Sequence, residues 1–163
     1  MTNDAHLHIM LVHFPVIVVP VATALFALTL WRANLEMRRI AFGLFAVAAL
    51  VTIPAFLLGE GAEEVVEHIK GVSERAIERH EEAAEVALWL TIVLGLLSSS
   101  MLLIPKFLER IQGLVIPVIG LLTIATSIDL AVVANKGGLI RHTEIVGKVT
   151  KDTKETPPVA EQA

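Results

Sequence analysis

The sequence predicts an all-α protein, a polytopic membrane four-helix bundle with a short amphipathic helix in the connector between spans two and three. Two observations lead there. The 163 residues are 55% hydrophobic with a mean hydropathy of +0.71, too apolar for a soluble chain of this size to cover with charged surface. The charged residues, 18% of the chain, cluster between four long neutral stretches. A hydrocarbon layer about 30 Å thick takes roughly 20 residues to cross at ~1.5 Å rise each. All four stretches reach that length.

Span one runs from Ile9 to Trp31, interrupted by His13, Pro15 and Pro20. No Lys or Arg precedes it, and its apolar run continues past the cleavage-like Ala22-Thr23-Ala24. It therefore reads as a permanent span rather than a signal peptide. Span two, Ile40 to Leu58, is uncharged, with Pro54 near its end. The connector that follows, Gly59 to Glu85, holds nine Glu against Lys70, Arg75 and Arg79. Its apolar positions (Ala62, Val65, Val66, Ile69, then Ala76, Ile77, Ala84, Ala87) recur at three and four, the period of an amphipathic helix. Gly71 is expected to divide it into a short surface helix and a second piece that continues into span three. Span three is Val86 to Pro105, with a Ser98-Ser99-Ser100 patch, and span four is Ile111 to Asn135, with one charge, Asp129. Residues 1–147 form one four-span domain. Residues 148–163 (KVTKDTKETPPVAEQA) are polar, carry Pro-Pro and are expected to be a disordered tail. The few aromatics that could mark the interfaces include Trp31 and Trp89.

Orientation follows from the short loops. Arg32, Arg38 and Arg39 lie between spans one and two, and Lys106 and Arg110 flank the turn between spans three and four. Basic short loops stay in the cytoplasm, so both termini are expected on the outer, periplasmic side of a bacterial inner membrane. The acidic balance, net charge -4, lacks the basic footprint of a nucleic-acid partner. Without cysteine there are no disulfides, thiolate metal sites or covalent haem attachment. Neither a nucleophile–base constellation nor a phosphate-binding glycine loop is present, so the chain reads as an electron-transfer or accessory subunit rather than an enzyme. Spans two and three have no ionisable residue, which argues against a polar route across the bilayer.

All six histidines fall at one end of this topology: His6, His8 and His13 at the start of span one, His68 and His80 in the connector, His142 after span four. His13 and Asp129 are expected at similar depth inside the bundle and are natural partners, because a charge within a span needs one. His80 falls on the apolar stripe of its helix and is expected to point inward. His68, beside Glu64 and Glu67, is expected to face water, as are His6 and His8 near a helix end. Imidazole is a preferred ligand for haem iron, zinc, copper and non-haem iron, and bundles build such sites from facing helices. The candidate ligands are therefore His13, His80 and His142. Glu60, Glu63, Glu81 and Asp129 would orient a ligand or relay protons. The same histidines would equally serve as hydrogen-bonding groups in a bundle without a cofactor.

Three segments carry a family resemblance. His8-Ile9-Met10-Leu11-Val12-His13-Phe14-Pro15, with Ile9 where the pattern has Pro, resembles the His-Pro-x-x-Val-His-Phe-Pro start of bacterial four-span membrane proteins. That group is known as the domain-of-unknown-function 2231 family. Gly59-Glu60-Gly61-Ala62-Glu63-Glu64 with the later His80-Glu81 is similar to its Gly-x-x-Ala stretch and following His. Gly137-Gly138-Leu139-Ile140-Arg141-His142 is similar to its close. The resemblance implies a four-span fold and directs attention to His8, His13, His80 and His142; it implies no activity.

The function expected from these residues is a membrane redox or electron-transfer subunit. It would hold haem b between His13 and His80, with His142 as substitute and Arg79 or Arg141 on the propionates. Copper or non-haem iron is the alternative cofactor. The expected partners are the lipid bilayer and a periplasmic electron-transfer protein or further copies of the chain. The competing expectation is a binding or assembly subunit with no cofactor.

Overall fold

A computed structural model describes residues 3–69, 72–104 and 110–142. All regular structure among them is helical: α1 (Asp4–Arg32), α2 (Leu35–Leu57), α3 (Gly59–Glu67), α4 (Glu74–Leu103) and α5 (Gln112–Arg141). The four long helices are each apolar enough to cross a membrane, and this is a membrane protein. Gly71 and the tail 148–163 lie outside the described residues. The expected division of the connector into α3 and the start of α4 is observed.

Local chemistry sets the ends. Asn3 caps α1 by accepting the His6 backbone N–H at 3.0 Å, and Asn34 caps α2 from Met37 N–H at 3.0 Å. Between them Ala33 sits in the left-handed region, φ 47, which lets α1 stop and α2 begin within two residues.

The helices form an up-down ring, α1 against α2, α2 against α4, α4 against α5 and α5 against α1, with α3 laid over one end. Each buries a stripe spaced at three and four: Pro15, Val19, Ala22, Phe26, Thr29 on α1; Ile119, Thr123, Thr126, Leu130 on α5. The inward residues are small or hydroxylic to an unusual degree, including Ala41, Ala48, Thr52, Ala87, Thr91, Gly95 and Ser98. Phe26 with Phe42 and Phe45, at ring separations of 5.8 and 6.5 Å, forms the aromatic part of the core, joined by Leu94, Ile119 and Leu130. The outward faces carry Ile17, Leu50, Leu96 and Leu121, all more than half exposed. Large apolar residues outside and small ones inside are what a hydrocarbon solvent selects, because helices associate there through close packing.

Polar side chains within the spans are mostly answered internally. Thr23, Thr29, Thr52, Thr123, Thr126 and Ser127 donate to carbonyls three or four residues back. Thr23 and Ser127 also meet across the α1–α5 seam at 3.1 Å. The α2–α4 seam relies on packing: a Cβ on Gly95 would collide with the Ala49 Cβ. Gly95→Leu is therefore expected to lower unfolding stability in detergent by about 1–3 kcal/mol, the range for overpacking. Gly113→Ala, where a Cβ meets nothing within 4 Å, should leave it unchanged or slightly higher. Equal melting of Gly95→Leu and wild type would refute the close-contact account.

Candidate functional site

The polar first turns of α1 and α4, the last turns of α5 and the whole of α3 gather at one end of the bundle. These charged segments lie outside the apolar runs, so they sit at or above the hydrocarbon boundary. His8 occupies the same stripe as Pro15, Ala22 and Thr29, each seven residues further along and each buried. The phase carries its ring inward, and Nδ1–H donates to the Ala55 carbonyl of α2 at 2.8 Å. Gly59 makes room beside it: a Cβ there would touch His8 Cε1 at 3.7 Å.

His80 stands in the same way on α4, one and two heptads before the buried Ala87 and Leu94. Its Nδ1–H donates to the Val133 carbonyl of α5 at 3.2 Å. The ring packs so closely on Gly137 that a Cβ would come within 2.9 Å of Cε1. Lys136 Nζ donates to the Arg79 carbonyl at 3.0 Å, a second tie between the two helices. Burial holds the His80 imidazole below its ordinary pKa; the nearby charges of His8 and Lys136 act in the same sense, and the Val133 carbonyl opposes them. A carbonyl oxygen only accepts, so both histidines present a protonated Nδ1 to it, and Nε2 takes no part in either bond.

Beside them the Glu63 carboxyl of α3 reaches the Glu81 carboxyl of α4. The hydrogen bond between the two, with partial desolvation and the repulsion of Glu81, raises Glu63 above the usual carboxylate range. Glu60 is exposed on α3, and Arg79 and Arg141 are exposed at the same end.

The inward expectation for His80 is borne out, while those for His8 and His13 exchange places. His13 lies five residues after His8, about 140° further round the helix, and is exposed. Its ring nitrogen donates to the Ile9 carbonyl of its own helix. The expected pairing with Asp129 is not formed: Asp129 Oδ2 is buried without a hydrogen-bond partner among the described residues. His68 is exposed and likewise returns to its own helix, at Glu64 O, 2.8 Å. His142 has an exposed side chain at the end of α5, where its N–H donates to Gly138 O at 3.0 Å. Among the described residues no three His, Asp or Glu side chains gather as a metal-binding group, so His13, His80 and His142 do not converge on one ion. His8 shares the phase of Pro15, Ala22 and Thr29, but only the packing of α1 shows that this phase is the buried one.

Comparison with protein families, curated proteins and solved structures finds no match to this chain.

The Glu63–Glu81 contact yields a pH-dependent expectation. A carboxyl whose pKa is raised by folding binds its proton more tightly in the native state, so the fold loses stability as pH rises through that titration. Glu63→Gln should raise the melting temperature at about pH 7.5, and the gain should vanish at about pH 4. A gain that persists in acid would show that charge repulsion is not its source.

Proposed function

We propose that the histidine end binds haem b between His8 and His80, making the protein a membrane electron-transfer subunit. The observation that carries this reading is the matched state of the two rings. Each sits on the inward stripe of its own helix, each commits Nδ1–H to a carbonyl of a neighbouring helix, and each has Nε2 outside that bond. Ligating histidines characteristically have this outer hydrogen bond, which sets the tautomer and the ring orientation. His8 acts electrostatically on His80 and both rings lie at the same end of the bundle, which supports a ligand shared between them. Haem asks the protein for only two such nitrogens. Copper or non-haem iron needs more ligands than this pair supplies, which favours haem.

Haem b would supply one-electron chemistry. The surrounding residues would supply its binding: Arg79 and Arg141 are the available guanidinium groups for its propionates. Glu63 and Glu81 would accept or release the proton that accompanies a change of iron charge. The basic short loops support an orientation with this end in the periplasm of a bacterial inner membrane, where a soluble electron carrier would reach it. The resemblance to the four-span bacterial family rests in part on these same two histidines.

A second reading has its own observation. His8 and His80 each join two helices, and Ala55, which receives the His8 bond, lies in the last turn of α2 where carbonyls lack helical partners. On this reading the histidines staple the bundle and the subunit carries no cofactor.

An optical spectrum of the detergent-purified protein, oxidised and then reduced with dithionite, separates the two. Haem binding predicts a Soret band that sharpens on reduction, with stoichiometric iron. It also predicts that His8→Ala and His80→Ala each lower haem occupancy roughly tenfold or more, while His13→Ala keeps it. A flat spectrum from cells with ample haem, with normal folding, would leave the stapling role.

A further inference from the structure

At the opposite end of the bundle, the α1–α5 seam opens into a groove of about 390 Å³ walled by Phe26, Ala27, Leu30, Ile116, Gly120 and Leu121. Its floor is thin because Gly120 brings no side chain: a Cβ there would only just reach Phe26 Cε1, at 3.7 Å. The hydroxyls on its walls are already used. Thr23 donates to Val19 O at 2.8 Å and meets Ser127, and Thr123 donates to Gly120 O at 3.0 Å. Water would find almost no partner in such a space, so the occupant must be hydrocarbon.

The rim of the same groove is cationic. Arg32 lies two residues beyond Leu30, and Arg110 lies at the start of α5, six residues before Ile116. Among the described residues this end carries Arg32, Arg38, Arg39 and Arg110 against a single carboxylate, Glu36. Arg39 takes up Glu36 at 3.4 Å, and Arg38 is held on Thr29 by its Oγ1 and its carbonyl, both at 3.4 Å. Neither Arg32 nor Arg110 has an ion pair or hydrogen bond among the described residues. The first turn of α5 has no side-chain cap, and a Cβ on Gly113 would meet open space. Uncapped N–H groups at a helix start are donors for an anion.

From the apolar groove and its arginine rim we infer a binding site for an anionic phospholipid of the membrane. One acyl chain lies between α1 and α5 against Phe26 and Gly120, and the phosphate meets Arg32, Arg110 and the first N–H groups of α5. The groove supplies the hydrocarbon contact and the rim selects the charge of the headgroup. A second copy of the chain is a poorer match, because its own short-loop end would bring further arginines against these. The site is independent of any cofactor at the histidine end.

Native mass spectrometry of the full-length protein tests this, using detergent micelles doped equally with phosphatidylglycerol and phosphatidylcholine of the same chains. Wild type should retain one phosphatidylglycerol at least tenfold over phosphatidylcholine. Arg32→Gln with Arg110→Gln should abolish that preference. Ala27→Trp, at an exposed wall position, should expel the bound lipid by filling the groove. Thermal melts in vesicles of each lipid give a second readout: phosphatidylglycerol should raise the melting temperature of wild type and not of the double arginine variant. Equal retention of both lipids by wild type, undiminished retention by Ala27→Trp, or a lipid-free dimer occupying the groove would each overturn the inference.

Discussion

The constraint on which the structure depends is the solvent of its spans. Hydrocarbon offers no hydrogen bonds, so each polar group between the interfaces must be answered by the protein itself. Nor can it drive helices together by expelling apolar surface, since lipid chains are as apolar as leucine. The bundle largely meets both conditions. Most of its hydroxyls turn back onto their own helices, its interior is rich in alanine, glycine, serine and threonine, and most of its leucines and isoleucines face outward. The Gly95–Ala49 approach and the thin wall at Gly120 are two results of one rule, that backbones come close wherever side chains are small. In the first case neighbouring helices fill the space; in the second a groove is left.

The two ends are then free to differ, because polar groups there meet water. At one end the helices extend past their apolar runs and α3 folds over them. This brings together side chains far apart in sequence: His8 with the end of α2, His80 with α5, Glu63 with Glu81. The two ends differ chemically, one with two inward imidazoles and a Glu63–Glu81 hydrogen bond, the other with an arginine cluster beside an apolar groove. Where two helices at the histidine end are joined by a side-chain bond to a main-chain carbonyl, the same bond also fixes the tautomer of the imidazole. Stapling and ligand preparation are thus two uses of one geometry.

Asp129 is the exception to the rule of internal satisfaction. Among the described residues its Oδ2 is buried without a partner, and so are the hydroxyls of Thr91 and Ser98 on α4. Buried groups of this kind are uncommon in native proteins. Asp129 stands well inside the apolar run of α5, between the histidine end and the groove.

The sequence by itself determined the class and the four spans. Span length and neutral composition are local properties, and the bilayer reads them locally. It also determined the break between α3 and α4 and the inward direction of His80, because a run of Ala and Ile around that residue sets the helical phase. The roles of His8 and His13 were decided only by tertiary structure. Both stand at the head of the same helix, and residue type does not separate them. What does is which side of α1 packs against α2 and α5, a choice made by Ala22, Thr29 and Phe26 about two to six turns away. Likewise the Glu63–Glu81 contact and the α1–α5 groove arise where separate helices meet, so their chemistry depends on a packing phase that no single segment contains.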